Sequence, residues 1–105
     1  MIAIMRARQI IDAVAGFYGV EPAFVATSGR SAYLMRVKHV CRYVLRHVLG
    51  ASLCEIGDFM RCDHSTVVAS LQKVEGWVGS DADLYLEVVL ALAAAYGPAA
   101  QEACP

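Results

Sequence analysis

Asp63, His64 and Ser65 are the three side-chain types of a hydrolase triad, and Cys62, Asp63 and His64 are three metal-ligand types. Neither chemistry fits the spacing. Consecutive helical residues diverge by about 100°, so they cannot form the chain in which one residue orients a base that activates a nucleophile. A tetrahedral metal site takes ligands spread through the chain in pairs, and no CxxC pair occurs here. The expectation is no catalysis, no metal and no cofactor. Lys38, Arg42 and Arg46 say more. They stand at i, i+4 and i+8, where three like charges repel and gain nothing locally. Such a row either spreads into solvent or meets an external anion.

The formal net charge of −1 conceals a segregation along the chain. All nine lysines and arginines fall at or before Lys73 with five of the acids, and residues 74–105 hold the other five acids and no base. A basic part of this kind suits a polyanion, because clustered bases displace condensed counterions from phosphates. With 105 residues, 58% hydrophobic and 18% charged, the sequence has the size and apolar content of one compact unit and no room for a separate catalytic domain. The longest apolar run, Val88 to Ala100, is shorter than the roughly 20 residues of a membrane span and contains Gly97 and Pro98. No apolar signal-type segment follows Arg6 and Arg8 before Asp12, so the expected setting is cytoplasmic. Cys41, Cys54, Cys62 and Cys104 are expected as reduced thiols.

The elements that position these groups read as helices throughout. Ile10, Ile11, Val14, Phe17 and Tyr18 predict a first helix over 5–18, with Gly19 as its stop. Glu21 and Pro22 open a short second helix to Ala26, and a basic loop follows at Arg30. Leu34, Val37, Cys41, Val44 and Val48 form the buried stripe of a long helix over 31–49. Ser52 caps a helix over 53–59, and Asp63 is expected to accept amide hydrogen bonds at the start of another over 64–77, buried through Val67, Val68, Leu71 and Val74. Two helices with so short a link predict a helix-turn-helix, whose second helix presents His64, Ser65 and Thr66. After a turn over 79–83, an alanine-rich, acidic-edged helix over 84–96 ends at Gly97 and Pro98, with a frayed tail beyond. Trp77 and the tyrosines, at helical periods, read as core or rim residues rather than stacking platforms. The fold class is all-α, with five or six helices.

These residues resemble the C-terminal DNA-binding domain of the bacterial replication initiator DnaA. The likeness rests on the run Asp63, His64, Ser65, Thr66, Val67, on Ser52 to Gly57 (SLCEIG), and on the opening stretch Ile10 to Gly19 (IIDAVAGFYG), and it covers about residues 8 to 75. It implies a helix-turn-helix domain over 1–78, followed by an additional helix and tail over 79–105. It also implies sequence-specific binding of double-stranded DNA, in replication-initiation control or transcription regulation on the nucleoid. ATP hydrolysis belongs to another module of the initiators, so no nucleotide is expected. Base reading is implied for His64, Ser65 and Thr66 in the major groove, for Arg30 in the minor groove, and for Lys38 and His39, which stand where the family has Arg-Gln. Phosphate contacts are implied for Arg36, Arg42, Arg46, Arg61, Leu53 and Asp63. The turn Met60, Arg61, Cys62 is one residue shorter than the family's and lacks its glycine, and His39 replaces a glutamine, so the implied preferred sequence is shifted. A different class of reading makes the chain an adaptor, with the last helix as a protein-interaction or homodimer surface.

Overall fold

The computed structural model describes residues 2–25 and 31–103, with side chains over 4–25 and 31–96. Within them the chain forms six α-helices and no strand: α1 (Ile2–Tyr18), α2 (Pro22–Val25), α3 (Ala32–Val44), α4 (Leu53–Met60), α5 (His64–Ser80) and α6 (Ala82–Ala103). No helix of the described residues is long and apolar enough to cross a membrane. The expected stripes meet in one core, except that Phe17 is exposed and Leu34 and Val68 are half-buried outside it. Val14 of α1, Val25 of α2, Val37, Val40 and Val44 of α3, Ile56 of α4, Val67 and Val74 of α5 and Val88 of α6 are all buried in it. Because α6 packs on α1, α3 and α5, the helix outside the family resemblance is built into the same core.

Local chemistry sets most boundaries as expected. Ser31 caps α3 by accepting the Leu34 amide at 3.1 Å, and Ser52 and Glu55 form a reciprocal capping box at α4. Backbone and hydroxyl groups of Ser52 hold the Glu55 carboxyl below its ordinary value. Besides α1, which starts at Ile2 rather than Met5, three boundaries differ from the sequence reading. The last turn of the long helix, Leu45–Leu49, is π-wound and closes on Gly50, whose φ of 70° returns its amide to the Leu45 carbonyl. The expected turn over 79–83 shrinks to Asp81, whose side chain caps α6 by accepting the amides of Asp83 and Leu84. The final helix does not stop at Gly97 and Pro98 but continues to Ala103. Proline there forfeits one hydrogen bond, to the carbonyl four residues back, and the flanking alanines are strong helix formers. The expected frayed tail over 99–105 is therefore helical as far as Ala103, and Cys104 and Pro105 lie outside the described residues.

The turn between α4 and α5 is tight. Arg61 closes α4 with φ 55°, and its amide and that of Cys62 both reach the Gly57 carbonyl. A Cβ added at Gly57 would lie 2.5 Å from the Cys62 carbonyl oxygen, so this close approach requires glycine. Gly57→Ala should destabilise the fold by about 1–3 kcal/mol in chemical denaturation, since the obstacle is backbone rather than a movable side chain. Gly16→Ala is the contrast. That site is open and helical, so the same added methyl should stabilise by roughly 0.5–1 kcal/mol.

Candidate nucleic-acid interface

The first turn of α5 combines exposure with anchorage. His64, Ser65 and Thr66 are exposed, while Val67 directly behind them is fully buried. The backbone carbonyl of Asp63 accepts the Thr66 and Val67 amides at 3.0 and 3.2 Å. The expected side-chain cap is absent: the Asp63 carboxylate accepts no amide of the helix start, so the carbonyl alone caps this turn. Farther along, Ala69, Gln72, Lys73 and Gly76 are also exposed. By helical angle they continue the face begun by Ser65 and Thr66, with small residues at two of the positions. Gln72 and Lys73 were legible from that periodicity but did not enter the sequence assignment.

The row of cations on α3 is not one solvent-facing row. Lys38 and Arg42 are each only 4% exposed, whereas Arg46 is exposed. Arg42 instead ties α3 to α5: its Nη1 donates to the Ser70 hydroxyl at 2.8 Å. The His39 Nδ1 lies 2.7 Å from the same oxygen, and its ring meets Trp77 edge-on at 6.0 Å. Ser70 is fully buried. Its hydroxyl has one proton to give, and with Arg42 donating to the oxygen that proton serves His39 when the imidazole is neutral. Burial, then the nearby charges of Arg42 and Lys73, push the His39 imidazole below its ordinary value and favour that neutral form. The Arg42 Nε, also buried, has no hydrogen-bond partner.

The remaining site residues divide by place. Arg61 and Asp63 lie in the turn beside the start of α5, both exposed, and Leu53 is half-buried in the first turn of α4. Arg46 donates through Nη1 to the Ala51 carbonyl at 2.9 Å, bridging the π turn to the start of α4. Arg36 is held elsewhere. Its Nε donates to Glu87 of α6 at 2.8 Å, and its Nη2 pairs with the other carboxylate oxygen. Arg30 lies outside the described residues. Cys41, Cys54 and Cys62 are free thiols, and burial pushes the Cys41 thiol up to about 12.

A helix whose exposed first turn is mounted by a tight turn on a preceding short helix, over an all-helical core, defines a helix-turn-helix domain. The sequence matches the family model described as bacterial dnaA protein helix-turn-helix over residues 7–74. The chain belongs to that family. It is 35% identical over 76 residues to the chromosomal replication initiator protein DnaA of Deinococcus radiodurans, covering 72% of this chain and 16% of that protein. To the DnaA of Roseiflexus castenholzii it is 36% identical over 80 residues, covering 75% and 17%. The chain thus spans about a sixth of the length of these relatives. The crystal structure of a DNA replication initiation factor aligns with a TM-score of 0.81 at 25% identity, over 90% of this chain and 29% of that one.

The polar joint between α3 and α5 predicts a pH dependence. Because the folded state binds a proton at His39 less readily than the unfolded chain, the unfolded state takes it up first as pH falls. The stability that neutral His39 contributes is complete above the ordinary value of 6.5 and is lost as pH drops through it towards the lower folded value. Thermal melts from about pH 7.5 to about pH 5.5 should show a larger loss for the wild type than for His39→Gln, whose amide can still accept from Ser70 without titrating.

Proposed function

We propose that this chain binds double-stranded DNA in a sequence-specific manner, with the start of α5 in the major groove, and that it does so in replication initiation. One observation carries the reading: His64, Ser65 and Thr66 are exposed on a helix tip fixed from behind by buried Val67. A major groove admits an α-helix, and the histidine, hydroxyl and threonine methyl groups can meet base edges and thymine methyls. Arg46 and Arg61 are the phosphate-contacting cations, joined by Lys73 on the same helix face. Amides at the starts of α4 and α5, near Leu53 and Asp63, add contacts where the helix dipoles favour an anion. Arg30 is the minor-groove residue that the family resemblance implies. His39 and Arg42, half-buried and buried, act on DNA by holding α5 through Ser70 rather than by touching it first, and Lys38 is likewise buried. The relatives' designation as chromosomal replication initiators supports the process, and occupancy of such a site beside a promoter would also regulate transcription.

A second reading rests on α6. Tyr85, Leu86, Val89, Leu90 and Tyr96 are exposed along one side of it, and Glu87, the one charged residue over 84–96, lies off that side and is paired with Arg36. An uncharged face of this kind is complementary to itself, which favours a second copy of the chain as its partner. Sedimentation that stays monomeric well into the micromolar range would remove this reading and leave recognition of one asymmetric site.

Reading and positioning separate by mutation. Thr66→Ala should reduce the preference for the best site over scrambled duplex by about 1–3 kcal/mol while leaving non-specific affinity nearly unchanged. Arg46→Ala should weaken all duplexes alike and reduce the slope of log affinity against log salt by about 0.9, the value of one phosphate. Mobility shifts on both variants check this, after selection of preferred sequences from a random duplex pool. Indistinguishable behaviour of the two variants would overturn the assignment of roles.

A further inference from the structure

The contact between Arg36 and Glu87 joins residues 51 apart in the chain and belongs to no DNA-reading element. The Glu87 carboxylate takes the Nε and Nη2 of Arg36 on its two oxygens and also accepts the Tyr18 hydroxyl at 2.6 Å. Tyr33, whose hydroxyl donates to the Tyr18 carbonyl at 2.6 Å, packs edge-on against the Tyr18 ring. Burial raises the Glu87 carboxyl, but the hydrogen bonds from Arg36 and Tyr18 outweigh it and hold the group below its ordinary value, so it is a carboxylate at neutral pH. The Arg36 side chain is nevertheless 43% exposed. It lines a cleft of about 460 Å³ with Lys73, the cation on the outward face of α5. Arg36 is thus beside the proposed DNA surface, yet the side-on edge with which an arginine grips two oxygens of a phosphate is already filled by a carboxylate.

We propose that Glu87 is an affinity-setting residue: it occupies Arg36 as an internal stand-in for a phosphate and withholds that cation from the DNA backbone. A phosphate approaching Arg36 meets both a filled hydrogen-bonding edge and the negative charge of Glu87. The guanidinium therefore displaces no counterion from DNA while the clasp is closed. The inference rests on the DNA-binding reading above and adds to it a limit, set by α6, on how many phosphates the domain engages.

The test is the salt dependence of duplex affinity for the wild type, Arg36→Ala, Glu87→Gln and the double variant, with melts to confirm that each is folded. Arg36→Ala alone should leave the slope of log affinity against log salt unchanged. Glu87→Gln, close in shape but neutral, should steepen it by about 0.9, one phosphate's worth, and tighten binding several-fold at low salt. The double variant should return to the wild-type slope. If Arg36→Ala alone flattens the slope by about 0.9, Arg36 already holds a phosphate and the inference fails. An unchanged slope for folded Glu87→Gln also overturns it. Should Glu87→Gln not fold, Arg36→Ala decides. A wild type that binds no duplex at low salt overturns the functional reading itself, a result distinct from either of these.

Discussion

The close approach of the Cys62 carbonyl to Gly57 is the constraint on which the proposed DNA-facing surface depends. Two helices joined by three residues cross where the second chain segment runs against the first, and here the Cys62 carbonyl fits against α4 because Gly57 has no side chain. Arg61 accepts a left-handed backbone to make the reversal, with its amide and that of Cys62 sharing one acceptor. Val67 then enters the core one turn into α5. The exposed residues between turn and core have little freedom of direction, as the proposed fit to a groove requires.

A second, polar constraint holds α5 along its length. Placing the charge of Arg42 inside the fold costs free energy that a single neutral hydroxyl offsets only in part, and its unpartnered Nε shows the site to be incompletely satisfied. An apolar pair could hold the two helices with less penalty. What Arg42, Ser70 and His39 add is direction: one buried hydroxyl of α5 is met by a nitrogen from each of two α3 side chains.

The elements and the tip were legible because each is written locally. The Ser52 and Glu55 caps, the helical stripes and the turn before Asp63 all lie within a few residues of what they determine. The partners of the cations were not, because they depend on which distant helix crosses over. Ser70 stands three residues after Val67 and four before Val74, so its place on the core stripe was readable. That it would meet Arg42 and His39 was not, since i, i+4, i+8 spacing puts Lys38, Arg42 and Arg46 along one line without saying how far a neighbour covers it. The segregation of charge along the chain did not show that the two parts meet in the fold. The acidic end folds back on α1 and α3, and Glu87 neutralises a cation from the basic half.

The π-wound turn at Leu45–Leu49 carries one residue more than regular winding would use. The extra residue is taken up within the turn, whose hydrogen bonds reach five residues back instead of four, so the chain leaves α3 from a widened end. The α4–α5 pair therefore joins the rest of the molecule through that widened end and the left-handed Gly50 that closes it. A side chain at Gly50 would strain the one left-handed link on which this exit from α3 turns.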